Sequence, residues 1–154
     1  LRDSWTGRFE VKLDGKGRLS FPGHYRHSLN DATLVLTNSQ HQGKRLLDIY
    51  FMKEWDELKL RMSKLSQLNP KVAAFQRFYI AGGLEAQSDK QGRFLIPKSL
   101  REFAQFDGEV VLVGLGHKME LWNKKDWDEI FQNLTNDFEN TMAGIADLEL
   151  GACA

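Results

Sequence analysis

The chain has 154 residues, 42% of them hydrophobic, with 21 basic and 21 acidic side chains and hence no net charge. That is enough apolar material to bury a core as one domain or two small fused ones, and no run of 18 apolar residues offers a membrane span. A single cysteine, Cys153, excludes an internal disulfide framework and a thiolate zinc site, and with no basic-then-apolar leader at the start, a cytosolic location is expected.

Charge is unevenly spread along the chain. Residues 1–125 carry all 21 Lys and Arg against 14 acids, an excess of +7, whereas residues 126–154 carry seven acids and no base. A basic body with an acidic tail points to an anionic partner, the tail either shielding the body or facing a neighbouring subunit. A solvated acidic helix without a role explains the tail by itself equally well.

In chain order, Trp5-Thr6-Gly7 leads into Phe9–Leu13, which alternates apolar and polar residues with the period of a half-buried strand. Asp14-Gly15-Lys16-Gly17-Arg18 is a turn: Asp hydrogen-bonds nearby backbone, and a glycine three places later supplies a positive φ. Leu19-Ser20-Phe21 reads as the returning strand of a hairpin, closed by Pro22, which cannot continue a ladder. A helical turn with Tyr25 and Leu29 follows. Arg8, Lys12, Lys16, Arg18 and Arg26 surround this tip against Glu10 and Asp14, a local excess of +3. Thr33–Thr37 is a β-branched strand, Gln40–Lys44 a polar turn, and Leu46–Phe51 the return strand. Trp55, Leu58, Met62 and Leu65 recur at helical spacing through 53–68. Asn69-Pro70 is a cap followed by a first-turn proline, opening a helix whose stripe of Val72, Phe75, Phe78 and Tyr79 is expected in the core. Gly82-Gly83 ends it.

The second half repeats the first. Ser88-Asp89-Lys90-Gln91-Gly92-Arg93-Phe94-Leu95-Ile96-Pro97 lies 75 positions after the first turn, with Asp, Gly, Arg, Pro and a further Arg (Arg26, Arg101) in step; internal repeats outweigh local propensity as evidence. A helix over 98–106, strands at Val110–Val113 and Met119–Trp122, and a helix over 123–134 complete the unit. Lys125-Asp126-Trp127 mirrors Lys53-Glu54-Trp55, now 72 positions apart. Each half is therefore hairpin, short helix, two strands and helix. The partition is 5–52, a helical connector 53–83, 84–125, and acidic helices 126–154, with chain beyond Leu150 expected to fray. Halves this small have thin cores, so the hairpins are expected to interlock about a pseudo-two-fold axis in one composite domain.

Other candidate sites are poor. Gly114-x-Gly116 follows a strand but lacks the third glycine and the helix of a dinucleotide loop. His24 and His27 are suitably spaced for a metal but have no third ligand nearby in sequence. Asp56-Glu57 and Asp128-Glu129 sit on amphipathic helices, where a solvated face explains them better than acid–base catalysis. No nucleophilic triad or phosphate loop is present, and neither an enzyme nor a cofactor is expected. For the repeated Asp-x-x-x-Arg, two readings stand: an ion pair that pins the turn, worth only ~0–1 kcal/mol if exposed, or an arginine held at a loop tip for a partner.

The pattern Asp-x-x-Gly-Arg-x-x-[Phe/Ile]-Pro-x-x-x-Arg resembles the SpoVT–AbrB swapped-hairpin DNA-binding domain. Its two copies, with Trp5-Thr6-Gly7, Lys64-Leu65-Ser66-x-x-Asn69-Pro70 and the stretch from Val110 to Trp122, are similar to the MraZ family of bacterial transcription regulators. The resemblance implies an α+β fold: a duplicated swapped-hairpin β-barrel with pseudo-two-fold symmetry, decorated by helices. It implies head-to-tail rings, nucleoid-associated in the cytoplasm. These would bind double-stranded DNA at repeated, short G-rich boxes upstream of the family's own operon in the division and cell-wall gene cluster. Arg18 and Arg93 are the implied principal contacts, with Lys16, Lys12, Arg26, Lys90 and Arg101 around them and Asp14, Gly17, Asp89 and Gly92 shaping the turns. The copies differ, since residues 85–103 carry an excess of only +1, and the first turn is expected to dominate. The alternative is an antitoxin-like module that binds a protein partner.

Overall fold

The computed structural model describes the backbone of residues 4–153 and the side chains of residues 4–151; the Cys153 thiol and Ala154 lie outside them. Two compact units divide the chain, residues 1–124 and 125–154. The first is mixed α+β with antiparallel sheets. Its strands are β1 (Arg8–Lys12), β2 (Arg18–Ser20), β3 (Thr33–His41), β4 (Lys44–Phe51), β5 (Leu84–Gln87), β6 (Arg93–Leu95), β7 (Glu109–Gly114) and β8 (Met119–Asn123). Short helices α1 (Gly23–Arg26) and α4 (Lys98–Ala104) follow the two prolines, and α2 (Met52–Ser63) and α3 (Pro70–Phe75) connect the halves. The second unit holds α5 (Lys124–Asn136), apart from its first residue, and α6 (Phe138–Cys153).

One expectation fails at the hairpins. Asp14 N–H donates to the Arg18 carbonyl at 3.1 Å, but beyond that neck β1 and β2 part. β1 pairs with β7 of the other repeat, Arg8 opposite Val113 through Lys12 opposite Glu109. β2 pairs with β6, its own counterpart. Correspondingly, β5 pairs with β3 of the first repeat, and the six-stranded sheet runs β1-β7-β8-β4-β3-β5. The first strand of each repeat thus lies against the third strand of the other. The reason is burial: a lone two-stranded hairpin is marginal, whereas Val110–Val113 gives β1 a fully buried apolar neighbour.

The registers are symmetric. β4 and β8 meet with Asp48 opposite Glu120, and these residues are 72 positions apart. β2 and β6 meet with Leu19 opposite Phe94, 75 positions apart. Equivalent residues therefore face each other at the centre of both ladders. The main core gathers Leu19, Phe21, Leu47, Ile49, Phe94, Ile96, Leu112 and Leu121.

Two local features explain other differences. The β3–β4 hairpin is longer than expected because Gln42 and Gly43 both take positive φ, 50° and 78°, which suits a tight primed turn matching strand twist. Gln76–Ile80 is a π-helical turn, and its wider winding takes Phe78 out of the expected core stripe, leaving it 42% exposed while Tyr79 is buried. The glycines of Gly114-x-Gly116 seat the N-terminal segment. Trp5 and Gly116 exchange backbone hydrogen bonds, Gly7 accepts one from Gly114, and a Cβ at Gly114 would come within 2.6 Å of the Thr6 nitrogen. α6 continues to Cys153, past the expected fraying point at Leu150. Among the described residues, no helix is long and apolar enough to cross a membrane.

Candidate nucleic-acid interface

The two repeated turns are built alike, bond for bond. In the first, Asp14 Oδ1 accepts the N–H groups of Lys16 and Arg18, both at 2.9 Å, and Oδ2 accepts Arg18 Nε–H at 2.5 Å. In the second, Asp89 Oδ1 accepts the N–H groups of Gln91 and Arg93 at 2.9 Å, and Oδ2 accepts Arg93 Nε–H at 2.9 Å. Gly17 and Gly92 donate back to the Asp carbonyls at 3.0 Å, with φ of 82° and 78°. The Arg18 backbone N–H foremost, together with its guanidinium and the Lys16 N–H, lowers the Asp14 pKa to about 2. The Arg93 N–H does likewise for Asp89, whose pKa is also lowered. Each arginine is therefore held by its own turn, as the ion-pair reading has it, yet both keep side chains over a quarter exposed, 27% and 28%.

Pairing of β2 with β6 brings the two turns together. Side chains alternate across a strand, so Leu19 and Phe94 point inward and are buried, while Arg18, Ser20, Arg93 and Leu95 share the outer face. Arg18 sits beside Leu95 and Arg93 beside Ser20, placing the arginines at opposite corners of a small ribbon. Arg93 also reaches the other turn, with Nη1 3.9 Å from Asp14 Oδ2. Lys16 and Lys90 are exposed on the turns, and Lys12 is exposed at the end of β1. Leu95, 51% exposed, and Ser20 share this face without being among the expected contacts, although the in-out alternation of Arg18-Leu19-Ser20 and Arg93-Phe94-Leu95 already places them there.

Arg26 and Arg101 occupy equivalent places but are used differently. Each donates Nε–H to the carbonyl closing its strand, Arg26 to Phe21 at 3.3 Å and Arg101 to Ile96 at 3.0 Å. Arg101 also lies over the first turn: a Cβ added at Gly17 would come within 2.4 Å of its Cδ and Nε. At Gly92 the same test meets nothing within 4 Å. There the turn instead borders an open groove of about 550 Å³ lined by Arg26, His27, Asn30 and Lys90. His24 and His27 lie at α1, and among the described residues no cluster of three metal-ligating side chains exists.

A second polar group lies in the middle of the large sheet. Asp48 is fully buried; its Oδ2 accepts the Tyr79 hydroxyl and Lys118 Nζ at 3.0 Å. Tyr79 in turn lies 2.7 Å from the Tyr50 hydroxyl. Burial and the Asp48 charge push the Tyr79 pKa far up. Glu120, across the ladder, is pushed up mainly by burial and by Asp48, against a hydrogen bond from Trp122 at 2.9 Å. This group is a structural brace within the β4–β8 pair, remote in sequence from the turns.

The MraZ family model, described as "MraZ protein, putative antitoxin-like", matches the chain twice, at residues 5–78 and 80–147. A protein of Desulforamulus reducens named "Transcriptional regulator MraZ" is 35% identical over 144 residues, covering 94% of this chain and 99% of its own. Proteins of the same name from Halothermothrix orenii and Pediococcus pentosaceus are 33% and 35% identical, covering 94% and 95% of this chain and 98% and 99% of theirs. With two copies of the family's domain in one chain and likeness over nearly its whole length, the protein belongs to the MraZ family of transcriptional regulators, not to a family of enzymes.

Proposed function

We propose that this protein is a sequence-specific DNA-binding regulator whose reading head is the outer face of the β2–β6 ribbon with its two Asp-Gly-Arg turns. The observation that carries this is the shared face bearing Arg18 and Arg93 at opposite corners. A two-stranded ribbon fits the major groove, arginine forks onto guanine for ~1–3 kcal/mol of discrimination per good pair, and an apolar side chain such as Leu95 suits a thymine methyl. Lys12, Lys16 and Lys90 act on phosphates, which position without specifying, and Arg26 and Arg101 add flanking positive charge. The crossed pairing of the repeats supports the swapped-hairpin barrel, with repeats at 5–52 and 84–125, the connector 53–83 and the acidic helices 126–154.

One such head binds weakly. Self-assembly into a ring makes later contacts intramolecular and raises avidity ~100-fold or more, which suits repeated G-rich boxes upstream of the protein's own operon and the division and cell-wall genes. The test is a gel-shift on that upstream region with Arg18→Ala: binding is abolished or sharply weakened while oligomer mass stays constant. A variant that binds as tightly as the parent removes the ribbon from the interface.

The family's "antitoxin-like" description supports a second reading, a module that wraps a protein partner. Salt separates the two. DNA affinity falls steeply with salt through counterion release, whereas an apolar protein interface responds little.

A further inference from the structure

We propose that the acidic helix α6 of one copy docks on a basic, apolar ridge formed by residues 59–71 of a second copy of this chain. This names the contact behind the self-assembly proposed above and rests on that part of the reading only. Every described side chain of α6 is exposed. Phe138, Met142 and Ile145 recur at i, i+4 and i+7 and so share one stripe, with Leu148, 70% exposed, at its edge. A helix of 16 residues is marginal in water without a packed face, and Gly144 in its middle weakens it further. The helix therefore presents a face made for a partner. Glu139 flanks the stripe, Glu149 closes it, and no base occurs after Lys125.

The ridge is its complement. It comprises the end of α2, the connector, and the first turn of α3. Lys59, Arg61, Lys64 and Lys71 lie within 13 residues that contain no acid; Lys59 pairs with Asp56 at 3.4 Å, which leaves Arg61, Lys64 and Lys71 to give the ridge its charge. Leu60, Leu65 and Leu68 are exposed among them, Leu68 at 93%. Exposed apolar side chains rimmed by charge mark interaction sites, and here the charge is opposite to that of α6. Pairing α6 with another α6 would bring acid against acid, which opposes association. A second copy supplies one ridge for every helix. Because the two patches differ, the contact is heterologous and repeats from copy to copy, closing a ring where the rotation allows.

Charge exchange in the full chain tests this, read as molar mass by light scattering at low and high salt. Glu139→Lys with Glu149→Lys alters the helix, and Lys64→Glu with Lys71→Glu alters the ridge. Each pair alone weakens association about tenfold or more and lowers the mass. An equimolar mixture of the two variants regains the parental mass, because each helix then meets an opposite ridge. The fourfold variant also regains it. Circular dichroism checks that helix content is kept. The proposal is overturned by a monomeric parent, by either pair leaving the mass unchanged, or by a mixture that fails to reassemble. A ridge variant with parental mass beside a dissociated helix variant points instead to helix–helix pairing. Arg18→Ala, run in parallel, keeps the parental mass, so failure of the DNA reading appears in the gel-shift alone.

Discussion

Gly17 and Gly92 are equivalent in sequence and nearly equal in φ, at 82° and 78°, yet alanine has different consequences at each. At Gly92 a methyl group meets nothing within 4 Å, so Gly92→Ala carries only the cost of a side chain in left-handed backbone, ~1–2 kcal/mol. At Gly17 the same methyl would stand 2.4 Å from Arg101 Cδ and Nε. The guanidinium end of the arginine must move, which costs the net worth of its part-buried hydrogen bond to the Ile96 carbonyl at 3.0 Å, ~0.5–1.5 kcal/mol. Urea unfolding of both variants at one protein concentration, so that any association contributes equally, should therefore place Gly17→Ala ~0.5–1.5 kcal/mol below Gly92→Ala. In an Arg101→Ala background the two costs converge, because the obstructing side chain has gone. Equal costs in the parent, or a difference that survives removal of Arg101, would refute the seating of Arg101 on the first turn.

Three further outcomes follow from the buried brace and the turns. Lys118→Met leaves the Asp48 carboxylate without its cation and costs ~3–5 kcal/mol, whereas Asp48→Leu with Lys118→Met recovers most of it; a loss under ~1 kcal/mol for the single variant contradicts a buried pair. Asp14, with a folded pKa of about 2 against an ordinary 3.8, and Asp89, also lowered, contribute stability present above pH ~4 and lost as pH falls toward ~2. Carboxyl NMR titration should find the Asp14 midpoint near 2. Glu120 has the opposite sign: its pKa is raised above 4.5, so the fold favours its protonated form and loses stability as pH rises from 4.5. Thermal melts across that range should show this loss in the parent and not in Glu120→Gln.

Duplication gave the chain symmetric positions, and several have since taken different residues. At the centre of the β4–β8 ladder two acids, Asp48 and Glu120, face each other, an arrangement that like charges disfavour. Lys118 offsets it. Its counterpart 72 positions earlier, Leu46, is simply core, so only one half supplies the cation. Tyr79, from the π-helical turn, adds a hydroxyl from outside the repeat. The same divergence appears at the turns: Arg101 covers one, while Arg26 borders an open groove at the other. Identical local chemistry thus sits in two different surroundings.

The turns were legible in the amino-acid order because every bond that shapes them closes within five residues: the Asp carboxylate to the next amides, the Gly with positive φ, the Arg returning to the Asp. Helix starts such as Asn69-Pro70 were legible for the same reason, with Asn69 Oδ1 accepting the Lys71 N–H at 2.9 Å. The alternation of Phe9–Leu13 marked a strand and its buried face. It could not say that the ladder partner was Val110–Val113, about a hundred residues away, because period-two patterning records burial and not the identity of the neighbouring edge. Burial of Asp48 beside Tyr79 and Lys118, the outward turn of Phe78, and the seat of Arg101 on Gly17 were likewise decided by the tertiary structure. Each depends on contacts between segments that nothing in the local sequence relates.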